Sequence, residues 1–443
     1  MNRVFIKTYG CQMNERDSEA VAFKLQERGY EIVEDEAIAD VVLLNTCSVR
    51  DQAEQKAIGK AGHLAHRKKN NQKFIFGVMG CMAQNRGEEL FDLLPDLDLV
   101  VGTQKFHRIP DYLDKITGTS SPRPTNILDL ADEESSQDQI RDHIKTNHKK
   151  VTAFVSIMQG CNMNCSFCIV PKTRGKERYR SIESIIKEVK ELVECGVREV
   201  TLLGQIVNAY GRGDLPRVAN KSPFVQLLER LNEIEGLYRI RFTSPHPTSF
   251  GDDLIECFKH LPKLCEHAHL PMQSGSDRIL KLMNRPYSRK RFLEITYKLR
   301  AAHPNMRLST DVILGFPSES DADYALTKSA FEEAGFEMAF IFKYSERSGT
   351  PAVELGDSVP IEIKEKRNQD LLSLLERQSY SSNSLSIGEK FEVLVEGKAK
   401  RGKNMLIGRT RCNRRVVFEG SDTLAGKLIN LLIKDVSVTT LIG

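Results

Sequence analysis

The stretch Met158–Gly175, MQGCNMNCSFCIVPKTRG, places Cys161, Cys165 and Cys168 within eight residues, spaced C-x3-C-x2-C. No fourth Cys or His stands inside it. Structural zinc takes four closed ligands, commonly from two C-x2-C pairs, and a disulfide would leave one thiol over. A cubane iron–sulfur cluster suits three thiolates better, since they ligate three irons and leave the fourth open to a small molecule. The spacing therefore predicts a 4Fe–4S site at Cys161, Cys165 and Cys168 with one open corner.

Composition sets the frame around that site. At 443 residues the chain is long enough for several domains. Its 40% hydrophobic and 28% charged content is that of a soluble globular protein. The N-terminus lacks a signal-peptide core, and no apolar run approaches the ~18 residues of a membrane span. A cytoplasmic location follows as the expectation. Ten cysteines in a reducing compartment then point to metal or catalysis for some and to packing for others.

Upstream of the thiol stretch, short β-branched runs alternate with helix-forming segments. VFIKT (4–8), DVVLLNT (40–46) and KFIFGVMG (73–80) predict an α/β domain over 1–116, a doubly wound parallel sheet. Each run ends at a cysteine: Cys11, Cys47 and Cys81. Ligands of open parallel sheets bind beyond the carboxyl ends of the strands. Three strands would thus deliver one thiol each to one edge. A lone strand-end Cys is more often a packed hydrophobe, but three on one sheet favour a shared site. Cys195, Cys257, Cys265 and Cys412 read as structural.

Residues 117–150, rich in Ser, Pro and charge, read as an exposed connector. From 151 to 384 the alternation resumes with a longer period. Six strand candidates, TAFVSIM, EVTLLG, RIRFTS, HAHLPM, LSTDVILG and AFIFKY, predict a partial (βα)6 barrel followed by a helical link. The polar and glycine-bearing motifs all follow the strands, at the end where such barrels place their sites. Over 385–443 no helical period is visible. Short strands and eleven Lys or Arg against six Asp or Glu from Ile387 onward predict a small, OB-like basic β-barrel. Barrels of that kind bind oligonucleotides. Lys398, Lys400, Arg401, Lys403, Arg409, Arg411, Arg414 and Arg415 are its candidate RNA contacts.

With its thiol triplet following the first barrel strand, the sequence resembles the radical S-adenosylmethionine (SAM) enzymes. The resemblance implies that SAM chelates the open iron and is split to methionine and a 5′-deoxyadenosyl radical. It also implies that strand-end loops cradle the rest of SAM, with Gln205, Ser244 and Gln273 as polar candidates and Gly315 letting the backbone approach. The three segments together resemble the methylthiotransferases, which join a three-cysteine N-terminal domain, a radical SAM barrel and a small TRAM barrel. That resemblance implies a second, auxiliary 4Fe–4S cluster on Cys11, Cys47 and Cys81.

Within that family, YGCQMNERDSE, NTCSVRDQAEQKAIGK, TRG, SGSDRIL, GRT and VVFEG are similar to the tRNA branch acting on N6-isopentenyladenosine. Pro-Lys after the first Cys marks the branch acting on a ribosomal-protein aspartate. Lys-Val-Asn-Gln marks the branch acting on threonylcarbamoyladenosine. Gln12, Met13 and Asn14 match neither.

The implied reaction replaces the C2 hydrogen of that adenine, beside the anticodon, with a methylthio group. It uses two SAM molecules, one as radical source and one as methyl donor. The implied partners are a tRNA anticodon stem-loop and a flavodoxin- or ferredoxin-like electron donor, with the sulfur donor unidentified. A zinc-bearing, non-catalytic RNA-binding protein is the remote alternative. Two positions depart from the family pattern: Ile206 where an Asn is usual, and Ser318-Glu319-Ser320 where Gly-Glu-Thr is usual.

Overall fold

A computed structural model describes residues 2–48, 51–118, 126–133, 150–402 and 404–443. The chain divides into two compact units. The first comprises 1–147 with 159–163 and 168–178; the second comprises 148–158, 164–167 and 179–443.

The first unit is built on six parallel strands: β1 (Arg3–Tyr9), β2 (Glu31–Ile32), β3 (Val41–Thr46), β4 (Ile75–Gly80), β5 (Leu99–Val101) and β6 (Ile127–Asp129). Every residue of β3 and β4 is buried, as expected of central parallel strands covered on both faces. On one face Val42, Leu44, Phe76 and Val78 pack with Ala57, Ala61 and Leu64 of α2 (Asp51–Asn70). On the other, Val41, Leu43, Ile75 and Met79 pack with Val21 and Leu25 of α1 (Gln12–Glu27) and Leu113 and Ile116 of helix Ile109–Thr117. The sheet is doubly wound.

Strand order is β2-β1-β3-β4-β5-β6, so the chain reverses direction across the sheet between β1 and β3. That reversal is the switch point at which open α/β sheets bind ligands. The stretch expected to be a connector departs from expectation. Ile127, Leu128 and Asp129 pair in register with Leu99, Val100 and Val101. A three-residue strand is too short to display a period. Residues 119–125 and 134–149 of that stretch lie outside the described residues.

In the second unit the six expected strands form, at Thr152–Ser156, Glu199–Leu203, Arg239–Phe242, His267–His269, Arg307–Leu314 and Met338–Lys343. They run parallel, as two three-stranded sheets with a single bridge, Ile240 to Leu264, at the join. Helix Ile182–Glu194 buries Ile185, Ile186, Val189 and Leu192 along one stripe. Ser181 Oγ accepts from Ser184 N at its start, and Gly196, at φ +101°, lets the chain turn away after it.

Helix Ile361–Ser384 forms the expected link. The C-terminal segment is a curled half-barrel of six strands, and its two edge strands, Leu428–Leu432 and Asp435–Val436, do not pair with each other. Arg239 and Arg241 on the third barrel strand hold it. Arg239 Nη1 donates to Arg409 O at 2.6 Å, and Arg241 Nη1 and Nη2 donate to Arg411 O and Thr410 O at 2.8 Å each.

Candidate functional site

In the first unit the three strand-end thiols sit around the switch point. Cys11 follows β1 and caps α1; Cys47 directly follows β3; Cys81 directly follows β4 and begins α3 (Cys81–Arg86). Two asparagines knit the first two of these loops. Asn14 Oδ1 accepts from the Cys11 thiol at 3.3 Å, and Asn14 Nδ2 donates to Asn45 Oδ1 at 3.0 Å. Asn45 Nδ2 donates back to Asn14 O at 2.9 Å. A hydrogen bond with Cys47 pulls the Cys11 thiol down to about 6, against burial and with help from the charge of Arg174. Burial pushes the Cys81 thiol up, and Arg174 opposes it.

Gly80 makes the third thiol's approach possible. Its φ is +98°, and a Cβ there would lie 2.4 Å from Asn45 Oδ1 and 2.9 Å from Thr46 O. Gly80→Ala should therefore cost roughly 1–3 kcal/mol of stability and displace Cys81. On the auxiliary cluster that the family resemblance implies for Cys11, Cys47 and Cys81, anaerobically reconstituted protein should then lose about four of about eight irons per chain. Full iron content in that variant would show that Gly80 is not needed to place Cys81.

Of the second thiol set, Cys161 and Cys168 belong to the first unit and Cys165 to the second. Gly160, at φ +82°, leaves no room for a Cβ, which would meet Lys176 O at 1.9 Å. Cys161 N donates to Gly175 O at 3.1 Å. Asn162 and Glu177 clamp the same turn, each backbone N donating to the other's side chain at 3.3 and 3.1 Å.

Cys165 is buried beside a cation, Arg285, whose Nη1 donates to its sulfur at 3.2 Å. The loop around it is stapled to residues 282–284. Ser166 Oγ donates to Leu282 O at 2.8 Å, and Asn284 Nδ2 donates to Asn164 O at 2.7 Å. No disulfide joins any of the ten cysteines. Among the described residues no three His, Cys, Asp or Glu side chains converge closely enough for one metal ion. The thiolates of a cubane need not, because each binds a different iron.

The strand-end candidates of the second unit fall where expected along the chain. Gln205 Oε1 and Gln273 Oε1 are buried acceptors with no hydrogen-bond partner. Such orphans cost ~1–3 kcal/mol each unless a ligand satisfies them. Ser244 and Gln273 hold left-handed backbones, φ +57° and +64°, and strain of that kind gathers at ligand sites.

Gly315 has a packing role: a Cβ there would lie 2.3 Å from Lys364 Cγ, so it admits that side chain. Both departures from the family pattern sit in well-knit loops. Ile206 is buried beside Asn208, whose Nδ2 donates to His246 O at 2.9 Å. Burial, reinforced by Arg285 and Arg212, pulls that histidine down to about 3. Ser320 caps helix Asp321–Ala334 through a capping box with Asp323, and Glu319 Oε2 accepts from Gly315 N at 2.7 Å.

The candidate RNA contacts separate into two groups. Arg411 spends its guanidinium on Glu266 Oε1, Pro262 O and Leu264 O at 2.7, 2.9 and 2.8 Å. Arg414 donates to Ser386 and Ser382 and lies over the Phe391 ring. Arg409 pairs with Glu396 at 2.8 Å. Those three brace the half-barrel. Lys398, 75% exposed though paired with Asp422, and the exposed Lys400, Arg401 and Arg415 present charge to solvent. Lys403 lies outside the described residues.

Two arginines that bear on the sulfurs were not singled out from the sequence: Arg285 beside Cys165, and Arg174 beside Cys11 and Cys81. The motif TRG contains Arg174, but a motif does not say what a side chain faces.

Residues 3–102 match the family described as "Uncharacterized protein family UPF0004", and residues 155–329 match the radical SAM superfamily. In fold the chain is similar to the radical SAM methyltransferase TsrM of Kitasatospora setae. The TM-score is 0.55 at 10% identity, covering 91% of this chain and 79% of that one. Three curated relatives carry the name tRNA-2-methylthio-N(6)-dimethylallyladenosine synthase. That of Opitutus terrae is 54% identical over 100% of this chain and 97% of its own length. That of Akkermansia muciniphila is 49% identical over 100% and 98%, and that of Methylacidiphilum infernorum 48% over 100% and 94%. Similar from end to end to enzymes of that name, and carrying the radical SAM region, the chain belongs to the tRNA-2-methylthio-N(6)-dimethylallyladenosine synthases, a family of radical SAM methylthiotransferases.

Proposed function

We propose that the protein exchanges the C2 hydrogen of N6-isopentenyladenosine, next to the anticodon of tRNA, for a methylthio group. The observation that carries this reading is the end-to-end identity with the synthases, in a chain that keeps two three-thiol sets at strand ends. Cys161, Cys165 and Cys168 would hold a 4Fe–4S cluster with an open iron, and Cys11, Cys47 and Cys81 an auxiliary one. Two fits support the assignment: an arginine stands at each set, Arg285 beside Cys165 and the buried Arg174 beside Cys11 and Cys81, and three thiolates leave one iron of a cubane open. When bound, the first cluster and SAM supply a carbon radical able to take hydrogen from an aryl C–H that has no useful acidity.

The chain's own residues do the rest by positioning. Gln205 Oε1 and Gln273 Oε1 would accept from N–H or O–H groups of SAM. Arg285 would hold the Cys165 sulfur while its charge offsets that of the thiolate. On the strand face opposite the buried Ala268, Leu308 and Val312, His269 contacts Asp311 at 3.2 Å and Ser309 at 3.0 Å. Phe340 exposes its ring beside His269. Polar edges and a partly exposed ring suit an unpaired base, and a loop adenine costs less to present than one extruded from a duplex. Lys398, Lys400, Arg401 and Arg415 would meet phosphates. The electron would come from a flavodoxin- or ferredoxin-like protein. Among the described residues no helix is long and apolar enough to cross a membrane.

Nucleoside mass spectrometry on tRNA from a deletion strain tests the proposal. The intact gene should restore methylthio-isopentenyladenosine. A copy with Cys11, Cys47 and Cys81 replaced by Ala should leave isopentenyladenosine unmodified while still cleaving SAM in vitro. Thiolation retained by that variant would refute the auxiliary site. A methylthio group restored on threonylcarbamoyladenosine instead would refute the substrate.

A further inference from the structure

Arg174 ends the short helix Val170–Arg174 in the first unit, seated there by Thr103 Oγ1, which donates to Thr173 O at 2.6 Å. Its side chain is 3% exposed. Nη2 donates to Asp17 Oδ2 at 2.7 Å, and the buried Nη1 has no hydrogen-bond acceptor. After Asp17, the groups that feel its charge are Cys81 and Cys11. A guanidinium is always charged and presents its donors in a fixed fork. One arm is spent on a carboxylate from α1. The guanidinium also hydrogen-bonds the Cys81 thiol, and its buried Nη1 is left without a partner of its own, beside two sulfurs of the thiol set.

We infer that Arg174, oriented by Asp17, is a positioning residue of the auxiliary cluster: its free Nη1 donates to cluster sulfur and its charge sets the cluster's reduction potential. The inference rests on the auxiliary site proposed above. Hydrogen bonds to sulfur and local net charge are general determinants of such potentials. A cation beside the cluster stabilises the added electron, and Asp17 partly cancels that cation. Removing either partner should therefore shift the potential, in opposite directions. A buried ion pair that served only packing would give no such sign reversal.

The test uses the full-length chain with Cys161, Cys165 and Cys168 replaced by Ala, so that only the auxiliary cluster is loaded. Iron and sulfide are quantified anaerobically, and the cluster is titrated by EPR against redox mediators. Arg174→Gln should lower the reduction equilibrium constant about tenfold, ~59 mV for one electron. Arg174→Lys should stay within about threefold of the parent, because the charge is kept. Asp17→Asn should move it the opposite way.

Iron-loaded Arg174→Gln and Asp17→Asn with potentials at the parent value, or both moved the same way, overturn the inference. Should Arg174→Gln fail to hold iron, Asp17→Asn decides: a raised potential supports the inference and an unmoved one overturns it. A parent that binds no iron at Cys11, Cys47 and Cys81 instead removes the auxiliary site itself, and this inference with it.

Discussion

Protein with Ala at Cys161, Cys165 and Cys168 is expected to form no 5′-deoxyadenosine from SAM under a strong reductant, while keeping about four of about eight irons. The loss should be complete because without those three thiolates nothing holds the cluster that would deliver the electron. Breaking a sulfonium reductively needs an electron delivered next to it, and no organic side chain is a reductant of that strength. Acid–base residues nearby, such as His246, held neutral by burial, do not help with a C–H of no acidity. The retained iron is the second half of the expectation, since Cys11, Cys47 and Cys81 are carried by three strands of the first unit's sheet. SAM cleavage surviving the substitution, measured by chromatography of the reaction products, would end the assignment of the open-iron site. Loss of all iron would show that the two thiol sets do not load separately.

The second large effect concerns stability rather than chemistry. Arg241→Met should destabilise the second unit by about 3–5 kcal/mol, the usual cost of removing one partner from a buried ion pair. Arg241 Nε lies 2.9 Å from Glu199 Oε1, and both side chains are nearly inaccessible. Without Arg241, Glu199 keeps only a distant contact, 3.9 Å to Arg239. Arg411 O loses its donor and Thr410 O keeps only Asn413 N, so the half-barrel loses two attachments to the barrel. Methionine restores most of the volume but none of the charge. Urea unfolding followed by circular dichroism should show an earlier transition for the half-barrel and the barrel together. A shift under 1 kcal/mol would mean that Glu199 is relieved by water or protonation, and that the pair contributes little.

The barrel strands were legible because each is a short, largely apolar run closed by a polar or glycine-bearing loop, and that contrast survives in one dimension. Helix Ile182–Glu194 was legible for the same reason, its stripe and its cap both being local. Strands Glu31–Ile32 and Ile127–Asp129 were not, because two or three residues carry no period and pair only when a neighbouring strand is already in place. The half-barrel's arginines show a different limit. Eleven basic residues after Ile387 say that the segment is cationic. They do not say that Arg411 is consumed by Glu266, 145 residues away.

From the sequence alone came the two thiol sets, the order of the three segments and the kind of metal group they suit. Ligand spacing is a covalent property, and strand-end placement follows from short-range alternation. The fold decided which cation faces which sulfur: Arg174 meets Asp17 across 157 residues, and Arg285 meets Cys165 across 120. Charge at a buried thiol depends on what packs against it, and packing partners so distant in the chain leave no local trace. The same reason separates basic residues that brace the half-barrel from those that stay open to solvent.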